Sequence, residues 1–145
     1  MPNATAVKFG YPNTLVAETA EWLILLRPQQ PTLGSLVLVH RSEATAFSEL
    51  PAAAFADLKV AITGIETLLR ARVDYARINY LMLMMVDPHV HFHVIPRYEI
   101  PRVHHGQTFA DAGWPGQPAL ASHVALSEEE AHAFAAELAA LWRVS

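Results

Sequence analysis

The chain has 145 residues, of which 52% are hydrophobic and 17% charged, a composition that allows a domain with a full hydrophobic core and excludes an intrinsically disordered protein. It contains no cysteine, which excludes disulfide bonds, thiolate metal sites and a cysteine nucleophile. The formal net charge of −4 has the wrong sign for a protein that coats a nucleic-acid backbone, but a mononucleotide site needs only a few local donors.

Short strands are expected in the first part of the chain. Residues 15–26 predict two strands with a break around residues 18–21, and the nearly continuous apolar run at residues 35–40 predicts a buried strand. Between them, residues 27–34 contain two prolines and a glycine, which is typical of a loop.

A long amphipathic helix is predicted over residues 51–72, because its apolar side chains recur at steps of three and four. The residues of this stripe are Phe55, Leu58, Ile62, Ile65 and Leu69. Pro51 suits the first turn of the helix, where a missing N–H group costs little.

Two neighbouring strands are predicted in the second half, over residues 77–86 and 89–97. The short break at Asp87 and Pro88 predicts a tight reversal, so these strands are expected to be antiparallel. Residues 98–126 carry proline, glycine and histidine without a clear period, which predicts a long loop of the kind that often has a function.

A terminal helix is predicted after this loop. Ser127 and Glu130 have the spacing of a capping box, and the apolar stripe that follows consists of Phe134, Leu138 and Leu141. The order of strands and helices, joined by short antiparallel links, predicts one α+β domain over residues 1–145.

A cytoplasmic protein is expected, with neither a membrane nor a nucleic acid polymer as a partner. The N-terminal 14 residues contain no basic segment followed by an apolar run, as a secretion signal would. The longest apolar stretch, residues 80–86, is too short to cross a bilayer.

The segment over residues 89–97 is the most informative part of the sequence. Because alternate residues of a strand face the same way, His89, His91 and His93 are predicted to line one face, and the apolar residues between them to face the core. Neighbours on one face lie about 6.5–7 Å apart along a strand. Three imidazoles at that spacing can surround a single phosphate or metal ion.

Three interpretations of this pattern follow from the residues alone. Unrelated histidines would not need strict alternation, so this interpretation is the weakest. A metal site is favoured because neutral imidazole is a common metal ligand, but the motif contains no acidic residue. Residues outside the motif would have to complete such a site. The candidates in the sequence are His40, Asp87, His104 and His105.

In the third interpretation, a neutral imidazole attacks phosphorus directly. The flanking histidines donate hydrogen bonds or positive charge to the phosphate oxygens. A backbone carbonyl holds the other ring nitrogen of the nucleophile and so fixes its tautomer. Neither a metal nor another cofactor is then required.

The sequence resembles the histidine triad (HIT) superfamily, whose motif is three histidines that alternate with apolar residues and end in two apolar residues. Residues 89–95 fit every position of this motif, and residues 96–98 continue it as in many relatives. The similarity spans most of residues 14–98. It implies a sheet of about five antiparallel strands with a long helix, usually in a homodimer. The C-terminal helix completes the expected fold.

The resemblance also implies a function for particular residues. His91 would form a nucleotidyl–histidine intermediate that water resolves, His89 would orient it, and His93 would contact the phosphate. Leu25 and Arg27 would flank the base and ribose. The implied activity is that of a nucleotide-phosphate hydrolase or nucleotidyl transferase that acts at an α-phosphate. Its substrates would be adenosine phosphoramidates, dinucleoside polyphosphates or similar small-molecule nucleotide conjugates.

Other candidate substrate contacts accompany departures from the family pattern. Asn79 matches an asparagine on the preceding strand of relatives, and Arg97 either contacts phosphate or is a solvated strand end. Met84 and Met85 stand where relatives have polar residues, so Gln107 in the long loop is a candidate substitute donor. The missing amides keep open a nucleotide-binding module with little turnover, and a metal-binding protein built on the same strand also stays open.

Overall fold

The computed structural model describes residues 2–143 and shows an α+β fold. The prediction of one domain over residues 1–145 includes Met1 and residues 144–145, which lie outside the described part. The elements in chain order are α1 Ala4–Lys8, β1 Leu15–Glu18, β2 Trp22–Leu26, β3 Gln29–Gln30, β4 Leu36–His40, a 3₁₀ turn Phe47–Glu49, α2 Ala52–Arg72, β5 Arg77–Leu81, β6 His91–Arg97, β7 Arg102–His104, β8 Gln107–Phe109, β9 Val124–Ala125 and α3 Glu128–Leu141.

Five strands form one antiparallel sheet in the order β1-β2-β4-β6-β5. This arrangement confirms the expected fold class, the two short strands within residues 15–26, and the antiparallel pairing of β5 with β6. β3 pairs with β9 and β7 with β8, so the region predicted as a long loop contains a small hairpin. Its turn places His105 and Gly106 at φ of 50° and 78°, a conformation that glycine adopts easily and histidine more often than most residues do.

The connection between β5 and β6 is longer than the sequence predicted. β5 ends at Leu81 and β6 begins at His91, so the chain crosses residues 82–90 without strand structure. Pro88 has no N–H group to give to a strand ladder, and Asp87 is held by Lys8 of α1 at 2.6 Å. The predicted two-residue reversal is therefore wrong, and His89 lies before the strand.

The main hydrophobic core lies between one face of the sheet and the helices α2 and α3. α2 begins at Ala52 with Pro51 as its N-cap residue, one position outside the predicted first turn. Its buried positions are Ala54, Ala61, Gly64, Ile65, Leu68 and Leu69. The predicted stripe is thus only partly correct. Phe55 is 43% exposed and packs against Phe47 at the rim, because small residues let the helix approach the sheet closely.

Gly64 faces the C-terminal end of the chain across this core. A Cβ atom at Gly64 would overlap the indole ring of Trp142. A glycine in a helix interior normally lowers helix stability. Here its missing side chain provides the space that the tryptophan occupies.

The opposite face of the sheet is covered by α1 and the residues that follow it. A second apolar cluster joins Ala6 of α1 to Leu23, Leu25, Val37 and Val39 of the sheet, with Phe9, Tyr11 and Leu15 packed on it. Asn3 caps α1 by accepting a hydrogen bond from Ala6 N at 3.0 Å. Its amide also donates to His40 O at 3.0 Å and Ser42 O at 2.8 Å, which ties α1 to the sheet.

Within residues 2–143, no helix has the combination of length and apolar character needed to span a bilayer.

Candidate active site

His91 and His93 lie on the face of the sheet that α1 covers. In the register of β4 and β6, Val39 is opposite His91 and Val37 is opposite His93. Phe92 and Val94 belong to the core on the other face. The alternation predicted from the sequence is therefore correct for these two histidines.

The ring of His91 is held in a single tautomer by its own backbone neighbourhood. His91 Nδ1 lies 2.7 Å from His89 O, and because a carbonyl oxygen only accepts, Nδ1 carries the proton. In the neutral ring, Nε2 then presents a lone pair. Among the described side chains, Nε2 of His91 is the buried polar atom that has no hydrogen-bond partner. An unprotonated, unpartnered imidazole nitrogen is the arrangement that a nucleophile requires.

His93 has the opposite tautomer. Its Nδ1 accepts a hydrogen bond from Arg27 Nε at 3.4 Å, which leaves the proton of the neutral ring on Nε2. Burial lowers the pKa of His93 to about 4, and the Arg27 guanidinium and His91 contribute in the same direction. The ring lies 5.1 Å from that of His91 between centroids, at 81°. His93 is thus a neutral hydrogen-bond donor beside the free nitrogen of His91.

His89 does not share this face as the sequence predicted. It precedes β6, its Nδ1 lies 2.8 Å from Thr5 Oγ1, and its Nε2 lies 3.2 Å from Glu43 Oε1. The backbone carbonyl of His89, and not its ring, contacts His91, while its imidazole connects α1 to the loop before α2.

α1 and Phe9 lie over the two strand histidines. The Phe9 ring centroid is 6.1 Å from that of His91 and 5.6 Å from that of His93, and His91 has 0% of its surface exposed. Beside these rings is a cleft of about 250 Å³, which we call the Arg27 cleft. It is lined by Lys8, Phe9, Arg27, Pro28 and Gln29.

A family model described as HIT domain matches residues 9–100. The chain belongs to the HIT family. This membership places it in a superfamily of nucleotide hydrolases and transferases, and it is consistent with the three histidines described above. No match was found among curated protein sequences.

Solved HIT structures resemble the fold over most of its length. A histidine triad protein from Bradyrhizobium japonicum has a TM-score of 0.73 at 18% identity, covering 99% of this chain and 98% of that chain. A HIT protein from Sinorhizobium meliloti has a TM-score of 0.72 at 21% identity, covering 95% and 93% respectively. A diadenosine triphosphate hydrolase from Plasmodium falciparum has a TM-score of 0.67 at 11% identity, covering 89% of this chain and 76% of that chain.

In this HIT domain, Arg97 is bound to Asn79 and to Asp111. Arg97 is 4% exposed, with Nε and Nη2 bound to the carboxylate of Asp111 at 2.7 and 3.1 Å. Its Nη1 donates to Asn79 Oδ1 at 2.8 Å. The alternative of a solvated strand end is wrong, because Arg97 is buried against Asp111, whose place in a distant loop the local pattern did not reveal. The phosphate contact stays a prediction.

Leu25 is covered in this structure, and Gln107 lies away from the strand histidines. Leu25 is 0% exposed, within the apolar cluster that Phe9 and α1 cover, so it does not line the Arg27 cleft. Gln107 lines a different cavity of about 280 Å³, next to His104 and Phe134 of α3. Of the five predicted substrate contacts, the structure brings Arg27 to the histidines.

Of the side chains considered as extra metal ligands, Asp87 is held by Lys8, and the three histidines are engaged away from the triad. His40 has Ser42 Oγ and Glu21 Oε1 at 2.9 Å from its two ring nitrogens. Within residues 2–143, His104, His105 and Glu137 are the group of three that could hold an ion, and the Arg72 guanidinium already contacts Glu137 and His104. None of these residues completes a metal site with His91 and His93.

α1 is the part of the site that sequence analysis missed. Thr5, Lys8 and Phe9 all contact the triad region, yet they are separated from it by about eighty positions in the chain. The local signal was Asn3 followed by helix-favouring residues, which is typical of an N-cap.

Proposed function

We propose that this HIT protein is a nucleotide hydrolase or nucleotidyl transferase with His91 as its nucleophile. The observation that supports this most strongly is the hydrogen bond from His91 Nδ1 to His89 O, since it leaves Nε2 unprotonated. In the first step Nε2 bonds to the α-phosphorus and the bond from phosphorus to the leaving group breaks. The leaving group departs with the electron pair of that bond and takes up a proton. Water then attacks phosphorus, the Nε2–P bond breaks, and a mononucleotide is released.

His93 supports this chemistry as a neutral donor. Its Nε2–H group donates to a phosphate oxygen, and a donor already oriented at that position stabilises charge that develops in the transition state. The adjacent Arg27 guanidinium adds positive charge close to the same group. No carboxylate and no metal ion is needed in this scheme.

Substrate entry requires α1 and Phe9 to move. A nitrogen with no exposed surface cannot reach a phosphorus atom, so the structure represents a covered state of His91. Displacement of Phe9 would uncover Leu25 and its apolar neighbours on the sheet, which provide a surface for a nucleobase. The homodimer and the cytoplasmic location expected from the sequence belong to the same proposal.

The complete burial of His91 also favours a second candidate, a nucleotide-binding module with little turnover. If α1 rarely moves, nucleotides that bind in the Arg27 cleft would be held without attack. The two candidates differ in whether a covalent intermediate forms.

The test is the intact-protein mass after mixing with adenosine 5′-phosphoramidate or diadenosine triphosphate. We expect one adenylyl group on the wild-type protein, none on His91→Ala, and an unchanged result after treatment with a chelator. His89→Ala should retain the adduct, because orientation depends on the carbonyl group that this variant keeps. His123→Ala, at an exposed histidine, is the control.

An adduct that persists in His91→Ala, or that requires zinc, contradicts the proposed mechanism. Tight nucleotide binding with no adduct in the wild-type protein would favour the second candidate.

A further inference from the structure

Arg27 is a partly buried cation that lacks a carboxylate partner. Its Nη1 donates to Gln29 O at 2.6 Å and its Nε to His93 Nδ1 at 3.4 Å. The ion pairs of residues 2–143 do not include it. By contrast, Arg72 and Arg97 each contact a carboxylate, Glu137 and Asp111 respectively.

Keeping this cation buried without compensation costs free energy. Burial lowers the pKa of Arg27, which reflects the loss of hydration by the charged form. A protein usually offsets such a cost with an opposite charge. In the part of the chain that the structure describes, nothing else supplies that charge, so an anion from outside is the natural partner.

The Arg27 cleft has the lining that such an anion needs. It contains a second cation, Lys8, and no acidic side chain, although the whole chain carries a net charge of −4. Lys8 is itself 2.6 Å from Asp87, so Arg27 contributes the uncompensated charge. Phe9 and Pro28 form apolar walls.

The position of Arg27 separates this anion from the phosphate that His91 attacks. Arg27 contacts Nδ1 of His93, whereas the proposed phosphate contact comes from Nε2 on the other side of the ring. Two hydrogen bonds of about 3 Å and the width of an imidazole place Arg27 Nε roughly 8 Å from a phosphate oxygen that is bound at Nε2. One phosphate group does not extend over that distance.

We propose that the Arg27 cleft binds a second phosphate group of the nucleotide substrate, distinct from the phosphate attacked at His91. This inference rests on the proposed function, because that proposal places the attacked phosphate at His91. The second phosphate is either an ester on the ribose or part of the leaving group, and both offer the same dianionic partner to a guanidinium.

Binding of nucleotides outside the proposed substrate classes tests this directly. Titration calorimetry would compare AMP with adenosine 3′,5′-bisphosphate, adenosine 2′,5′-bisphosphate and ADP. The wild-type protein should bind at least one of the three about 10- to 100-fold more tightly than AMP, as expected for a hydrogen bond between charged groups. A preference for a bisphosphate identifies a ribose phosphate, and a preference for ADP identifies the leaving-group side.

Arg27→Gln should weaken binding of the preferred nucleotide far more than binding of AMP and so abolish the preference, whereas Arg27→Lys, which keeps the charge, should retain part of it. Arg70→Gln removes an exposed arginine from α2 and should change nothing. Equal binding of all four nucleotides by the wild-type protein would overturn the proposal, as would an equal loss for all four in Arg27→Gln.

Because these titrations need no reaction, they separate the two proposals. A phosphate preference without a histidine adduct would refute the proposed chemistry alone. An adduct without the preference would refute this inference alone.

Discussion

Neighbouring groups give His91 and His93 opposite tautomers, although the two residues are alike and are one strand repeat apart. His91 Nδ1 donates a hydrogen bond to a carbonyl, and a guanidinium donates one to Nδ1 of His93. The first ring therefore offers a lone pair at Nε2 and the second offers an N–H group there. In the proposed mechanism, these two identical side chains act as an attacking group and a donor without any change in charge.

The lowered pKa of His93 predicts a specific dependence of stability on pH. In the unfolded chain His93 takes up a proton near the ordinary histidine pKa of 6.5, and in the folded protein its pKa is only about 4. Between these values the unfolded state binds more protons than the folded state. The free energy of unfolding should therefore fall as the pH falls from about 6.5 to about 4. Above pH 6.5, His93 should not contribute to the dependence of this free energy on pH.

Urea unfolding at pH 7, 5.5 and 4.5 measures this effect. His93→Gln should reduce the slope of unfolding free energy against pH in that window, whereas His123→Gln, at an exposed histidine, should leave it unchanged. Equal slopes in the wild-type protein and His93→Gln would mean that His93 is not buried as described.

The sequence identified the strand histidines but not their surroundings. Alternation of polar and apolar residues is a local property, so the face shared by His91 and His93 could be predicted. The partners of Arg97, Thr5 and Phe9 depend on contacts between distant segments, and nothing in the local pattern indicates them. Arg97 illustrates the result, since its charge is neutralised by Asp111 rather than by a ligand.

At the scale of elements, α1 and the adjacent Phe9 cover His91, the proposed nucleophile. The helix has only five residues, too few to be stable alone, so its position depends on Asn3 and on packing. Asn3→Ala removes the cap and two hydrogen bonds to the sheet, a loss of about 1 kcal/mol for the cap and about 1 kcal/mol for each bond. We expect faster hydrogen exchange over residues 2–9 and faster modification of His91 by diethyl pyrocarbonate.

Ser127→Ala provides the matched control for this prediction. It removes the cap of α3, where Glu130 N donates to Ser127 Oγ at 3.1 Å, on the other side of the sheet. Modification of His91 that is unchanged in Asn3→Ala, or equally faster in Ser127→Ala, would show that α1 does not limit access.

Element types were easier to predict than their exact limits and orientation. The periodic spacing of apolar residues identified α2 and the main strands, because burial of one face of an element produces such a spacing. The buried face of α2 was misplaced because Ala54, Ala61 and Gly64 contribute to it, and small residues give a weak hydrophobic signal. The end of β5 was missed because the apolar run continues through residues 82–86, where Met85 is nevertheless 87% exposed.

For the whole molecule, the surface near β5 predicts self-association. β5 is an edge strand of the sheet, so backbone groups on one side lack a strand partner in the described chain. Met85 and Val86, in the connection that follows, are 87% and 84% exposed, and exposed apolar residues next to an open edge are typical of an interface. We expect light scattering to give twice the mass of one chain at micromolar concentration.

The double substitution Met85→Asp and Val86→Asp should shift this mass toward that of a single chain, because it places two charges at the expected interface. Val103→Asp, at a residue 66% exposed on β7, should leave the dimer intact. A wild-type mass of one chain throughout would contradict the dimer, and a dimer that survives the double substitution would place the interface elsewhere.

The contact between Gly64 and Trp142 has a consequence for biosynthesis. A ribosome makes the middle of α2 long before it makes Trp142. During that interval no indole ring packs against Gly64. The glycine weakens the helix by roughly 1 kcal/mol relative to alanine, and the compensating contact is not yet available. α2 therefore reaches its full stability only when the segment that carries Trp142 docks, which makes the arrival of that segment the event that completes this part of the core.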